Sequence, residues 1–143
     1  MSDLHMYLGI GVLVANAVAG GWGAAAWVRK QPSIVFWPLL RVAQAVVVVQ
    51  VVLGLLLVAS GESAPDGLHI VYGLTPLVVS LVTEGMRIGA ARKQLEGIED
   101  VQALERREQV AIAHRVALSE MGVMTIGLLL ILTLALRAYQ TGG

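Results

Sequence analysis

Apolar residues run through this chain in four long stretches, with polar residues gathered into the segments between them. Residues 6–28 contain no charged side chain, and 42–61 form a second uncharged run that 33–40 extends upstream. Residues 67–83 continue through Glu84 to Ile88, and 116–136 contain only Glu120. A helix rising 1.5 Å per residue needs about 20 apolar residues to cross a hydrocarbon core of about 30 Å, so each run is of spanning length. The pattern predicts an all-α fold: an integral membrane four-helix up-down bundle, one transmembrane domain over 1–143, with helices at about 5–29, 35–60, 67–96 and 101–138. The first run is too long for a signal peptide, lacks a basic leader and is followed by Arg29 and Lys30, so it reads as a retained helix.

The connections differ from one another. The second, residues 61–67, carries Glu62 and Asp66 and no base. The third, about 89–115, is too long for a turn and contains no proline. Residues 87–95 continue span three, Gly97 supplies a C-cap, and Asp100 is placed to N-cap a helix that runs unbroken into span four. A cytoplasmic helical hairpin extension between helices 3 and 4 is the expected result, with a solvated charged surface.

Charge placement assigns the orientation. Arg29, Lys30 and Arg41 border the first connection, and Arg87, Arg92, Lys93, Arg106, Arg107 and Arg115 belong to the third, leaving Arg137 alone on the other side. Cytoplasmic loops carry the excess of Lys and Arg, so a multi-pass protein of the plasma (inner) membrane with both termini outside is expected. The balance of ten basic and ten acidic residues conceals this asymmetry.

Composition narrows the chemistry. With 57% hydrophobic and 14% charged residues the chain departs from soluble domains, which carry about 25% charge. A neutral net charge and 5% aromatic residues offer no basic stacking surface, which excludes nucleic acid as a partner. The absence of cysteine excludes disulfides, thiolate metal sites and iron–sulfur clusters, so any metal falls to His, Met, Asp or Glu. No nucleophile–base pair, phosphate loop or carboxylate dyad is legible, and no catalytic residue is assigned.

Polar groups inside the spans fall into two sets. Arg41, Glu84, Arg87 and Glu120 lie within about two turns of the basic side, where opposite charges pair, and are expected to form an ion-pair cluster fixing helix register. Asn16, Gln44, Gln50, Thr75, Ser80, Thr125 and Thr133 are neutral and read as interhelical glue. Gly20, Gly21 and Gly23 with Ala24, Ala25 and Ala26 give helix 1 a small-residue face suited to close packing or to a homo-oligomer. Pro76 is expected to bend span three.

Of the three histidines, His114 reads as a solvated interfacial residue. His5 opens span one and His69 opens span three, and in an up-down bundle these helices are diagonal, so their first turns face each other. Each is followed four residues on by glycine, in His5-Met6-Tyr7-Leu8-Gly9 and His69-Ile70-Val71-Tyr72-Gly73. Residues i and i+4 share a helical face, so each histidine has a bare backbone patch beside it. Two readings are open. Histidine and tyrosine are ordinary at membrane interfaces; equally, two neutral imidazoles flanked by glycines suit the two faces of a haem. In the second reading Tyr7 and Tyr72 lie beside the ligands, Gly54 admits the ring edge and Arg137 pairs with a propionate.

The segment Gln50-Val51-Val52-Leu53-Gly54, then Gly61, Pro65 and Leu68-His69, followed by an apolar helix ending at Arg87, resembles the helix pair of the haem A synthase family. The resemblance covers about a third of the chain. Each half of that family is a four-helix bundle in which the histidine of the Leu-His pair is an axial haem ligand near the outer face. That position matches His69, and by topology the partner ligand falls on His5. The family's second haem-binding half has no counterpart in these 143 residues, so the resemblance implies a non-covalent bis-histidine haem b rather than synthase activity. The expected function is a membrane b-type cytochrome in electron transfer, with the lipid bilayer and a membrane redox complex or quinone as partners. The alternative is a non-catalytic accessory subunit of a larger membrane complex.

Overall fold

The computed structural model describes residues 2–142. They form α1 (Ser2–Val28), α2 (Phe36–Ala59), α3 (Gly67–Gln94), a 3-10 turn (Val101–Ala103) and α4 (Arg106–Thr141). All four α-helices are long and apolar enough to cross a membrane. At 36 residues, α4 is about 54 Å long and outruns an apolar layer of about 30 Å by several turns.

Consecutive helices alternate in direction. His5 of α1 lies beside Gly54 near the end of α2, and His69 of α3 beside Ala138 near the end of α4. At the opposite end Phe36 of α2 lies against Gly23 of α1, and Arg87 of α3 reaches Glu120 of α4. The closest packing is between α3 and α4, followed by α1 with α4 and with α2; α2 and α3 touch least of the neighbouring pairs. The molecule is therefore two hairpins, α1/α2 and α3/α4, joined along α1 and α4 and loosely closed on the other side.

Local chemistry sets the ends. Gly61 and Gly97 have φ of 94° and 79°, the left-handed region in which a side chain is strained, and each turns the chain out of the preceding helix. Asp66 caps α3 by accepting from the Leu68 amide at 3.2 Å.

The third connection departs from the expected hairpin. Asp100 does cap, accepting from the Gln102 amide at 2.9 Å, but only a single 3-10 turn follows. Glu105 is extended (φ −62°, ψ 150°) and opens α4 through reciprocal bonds between its own and the Glu108 side chains and backbone, while Gln109 donates to the Leu104 carbonyl at 2.9 Å. These local bonds outcompete continuation of the helix across residues 101–105. The last helix also runs to Thr141, one turn further than expected, and this brings its C-terminal turn to His69.

Packing is concentrated toward the basic end. Phe36, Leu40, Ala43, Ala19, Met121, Met124 and Leu128 form the main buried cluster, and Val12, Val47, Ile131 and Ala135 a smaller one nearer the histidines. Part of the small-residue face of α1 is used inside the chain: a Cβ on Gly20 would meet Leu129 at 3.0 Å, and one on Gly23 would meet Phe36 at 2.6 Å. Gly21 and Ala25 remain on the outer surface. The expected ion-pair cluster is present. Glu84 pairs with Arg41 and, at 2.9 Å, with Arg87, whose guanidinium reaches Glu120 at 2.7 Å and lies over the Trp37 ring. Gln44 donates to Glu84 at 2.9 Å, so Glu84 ties α2 to α3 through two residues. The other neutral polar groups behave less uniformly. Thr75, Thr133 and Asn16 donate to carbonyls of their own helices, and Asn16 Oδ1 and Thr125 Oγ1 are buried without a partner.

Candidate functional site

A cavity of about 530 Å³ opens between the two hairpins at the histidine end, within the range of about 300–1,000 Å³ usual for ligand and cofactor sites. All four helices contribute to its wall. His5 and His69, each in the first turn of its helix, face one another there with ring centres 6.0 Å apart and planes inclined by 66°.

That separation is chemically informative. An imidazole nitrogen binds a metal at about 2.0–2.1 Å and the ring centre lies about 1 Å behind it, so two imidazoles on opposite sides of one ion have centres about 6 Å apart. Two histidines alone do not make a complete metal site, and among the described residues no group of three or more His, Cys, Asp or Glu converges to hold an ion.

The surroundings orient the two rings. His69 Nδ1 is 3.0 Å from the Ala138 carbonyl, which can only accept, so Nδ1 donates and Nε2 is left without this contact. A histidine fixed in this way through its second nitrogen is the usual arrangement of a metal ligand. His5 Nε2 lies 3.4 Å from the amide nitrogen of Gln50, and both His5 Nδ1 and Gln50 Oε1 are buried without a partner. Turning the amide exchanges donor and acceptor, but in either orientation one nitrogen of His5 has no partner within the protein.

Backbone shapes the rest of the cradle. A Cβ on Gly54 would stand 3.0 Å from the His5 ring, one on Gly142 would stand 2.8 Å from the His69 ring, and one on Gly9 would meet Gln50 at 3.2 Å. Gly73 has nothing within 4 Å of its Cβ position and borders the cavity. The glycines that lie against the rings are Gly54 for His5 and Gly142 for His69, and the i+4 glycines Gly9 and Gly73 line the cavity without touching either ring.

Of the expected site residues, His5, His69, Gly9, Gly73, Gly54 and Tyr72 come together around the cavity, whereas Tyr7 and Arg137 do not line it. Tyr7 is two residues from His5, which turns it about 200° around the helix, and it is 66% exposed on the outer surface. Arg137 is likewise exposed, on a face of α4 away from Ala138. The site residues missed were Gln50, read as glue and as part of the resembling segment but given no role beside His5, and the Ala138 carbonyl with Gly142. Gln50 and Gly54 are one turn apart on α2 and both touch His5, a spacing visible in the sequence. The Ala138 carbonyl has no side-chain signature.

Fold and site together define an all-helical four-helix bundle with membrane-length helices and a paired-histidine cavity at one end. No family model, curated protein or solved structure matches the chain.

Proposed function

We propose that this protein is a membrane-embedded b-type haem carrier with a role in electron transfer, in which His5 and His69 would hold the iron. The observation that carries the reading is the pair of imidazoles 6.0 Å apart within a glycine-bordered cavity. When bound there, haem supplies a one-electron couple. His69 offers Nε2 while its Nδ1–H donates to the Ala138 carbonyl, which fixes the ring and increases its basicity. His5 offers the opposing nitrogen, with Gln50 holding the ring from the side. Val12, Val47 and Val51 line the cavity and would keep water from a bound metal, and Tyr72, which lines it too, is the candidate donor to a polar edge. The histidine end faces outward and the basic end the cytoplasm of a plasma-membrane protein, on the strength of the nine Lys and Arg gathered at the latter.

The absorption spectrum of protein purified from haem-replete membranes tests this. The expected result is a Soret band that shifts on reduction and is abolished in His69→Ala. Colourless protein overturns the reading, and if that protein co-purifies stoichiometrically with an enzyme, it supports the accessory-subunit alternative.

A further inference from the structure

The cavity has two sides on which it is not closed by a neighbouring helix. The first is its aqueous mouth, rimmed by Asp3 of α1 and by residues Glu62, Ser63 and Pro65 of the α2–α3 connection. The second is the seam between α2 and α3. Leu55 and Val58 of α2 and Ile70 and Leu74 of α3 border the cavity, are from 37% (Leu74) to 52% (Leu55) exposed, and flank the line along which neighbouring helices make their sparsest contact. Met6 of α1 and Tyr139 of α4 border the cavity and are comparably exposed, so sparse packing rather than exposure marks the seam.

The fold makes this seam the weakest line in the bundle. The α1/α2 and α3/α4 hairpins are joined along α1 and α4, whereas α2 and α3 touch little and are tied at the basic end through Glu84 to Arg41 and Gln44. Pro76 of α3 lines the cavity on the side nearer that tie; it has no N–H to donate to the Tyr72 carbonyl and so leaves α3 one bond short at that level. His69 is held by the Ala138 carbonyl of α4 and His5 lies beside Gly54 and Gln50 of α2, so each hairpin carries one histidine. Parting the seam separates the two imidazoles without breaking either contact.

We infer that the cavity is loaded sideways from the lipid through the α2–α3 seam, and that its occupant is a planar, lipid-dissolved macrocycle. The inference rests on the haem reading for the identity of the occupant and on the seam alone for the route. The apolar ring edge of haem matches the four apolar side chains of the seam, while its two carboxylates, costly to bury in lipid, stay at the aqueous rim as the ring enters.

The absence of cysteine makes the test clean. Leu55→Cys with Leu74→Cys is bridged across the seam by a reducible bis-maleimide, and Asp3→Cys with Glu62→Cys is bridged across the mouth by the same reagent. Each apo-protein in liposomes is then offered haem-loaded liposomes, with the Soret band followed in time. The seam bridge is expected to slow uptake at least tenfold, with recovery when the linker is cleaved, and the mouth bridge to leave uptake within twofold. Unchanged uptake behind the seam bridge, or a block by the mouth bridge alone, overturns the route. A second measurement needs no haem: a nitroxide on Gly73→Cys, inside the cavity, is expected to collide with lipid-dissolved oxygen in preference to a water-soluble nickel chelate. The opposite preference overturns the route. If no variant forms a Soret band while the nitroxide still reports lipid access, the haem reading fails and the seam stands.

Discussion

The two ends of the bundle are built on opposite terms. At the basic end Phe36, Leu40, Met121 and Met124 are completely buried, glycines let the helices approach until no Cβ would fit, and two acids match two arginines in one network. At the histidine end the helices stand around a cavity, Gly73 borders open space, and two polar atoms, His5 Nδ1 and Gln50 Oε1, lie buried without partners. Lipid is as apolar as a leucine side chain, so helices in a membrane are held together by packing and polar pairs rather than by escape from water. The dense end therefore supplies the stability, and the hollow end is left free of that task. A buried polar atom without a partner costs free energy, and at His5 it stands beside a cavity that admits a ligand able to satisfy it. Asn16 Oδ1 and Thr125 Oγ1 share the cost but do not line that cavity.

The comparison breaks if the hollow end holds the fold. Phe36→Ala is expected to lower stability by about 3–5 kcal/mol, because it removes a fully buried ring from the close-packed end. The double change His5→Ala with His69→Ala is expected to cost the apo-protein less than about 1 kcal/mol, since it empties a wall that already faces a cavity. Unfolding in mixed micelles of increasing SDS content measures both, and comparable losses would contradict the division of labour.

The charged network sharpens the same point at smaller magnitude. Glu84 bonds Arg41, Gln44 and Arg87, so Glu84→Ala strands several groups at once and is expected to cost about 1–3 kcal/mol, below a fully buried pair because a quarter of its side chain is exposed. Arg41→Ala, at a side chain more than half exposed, is expected to cost about 0–1 kcal/mol. The same titration ranks them, and equal losses would mean that Glu84 acts only through Arg41.

How much of this the sequence discloses follows from which forces are local. The four helices were legible because spanning length and apolar content belong to single segments, and the ion-pair cluster because Arg41, Glu84, Arg87 and Glu120 all fall near one side. Pairing of His5 with His69 was legible from topology alone. The break at 101–105 was not, because Glu105 acts as an N-cap through a reciprocal bond with Glu108, a role more typical of Ser, Thr or Asp. The Ala138 carbonyl has no mark in the sequence because backbone acceptors look alike, and Tyr7, close to His5 along the chain, and Arg137, the one basic residue on the outer side, both fall on exposed positions off the cavity. Only part of the glycine face of α1 faces outward, because the packing partner that uses Gly20 and Gly23 is α4 and α2 of the same chain.

The finest test lies within the hollow end, between residues that border the cavity and residues that only neighbour it. Gly54→Leu places a side chain where even a Cβ stands 3.0 Å from the His5 ring, so the imidazole must turn or the helices must part. Haem retention, read as Soret absorbance against a competing apo-haemoprotein, is expected to fall about tenfold, equivalent to about 1.4 kcal/mol. Arg137→Gln is expected to leave retention and stability within about 0.5 kcal/mol, because an exposed arginine that does not line the cavity has only solvent and lipid headgroups to lose. If Arg137→Gln weakened retention as much as Gly54→Leu, the guanidinium would have to reach a haem carboxylate around the rim, and the last turn of α4 would belong to the binding site rather than to its frame.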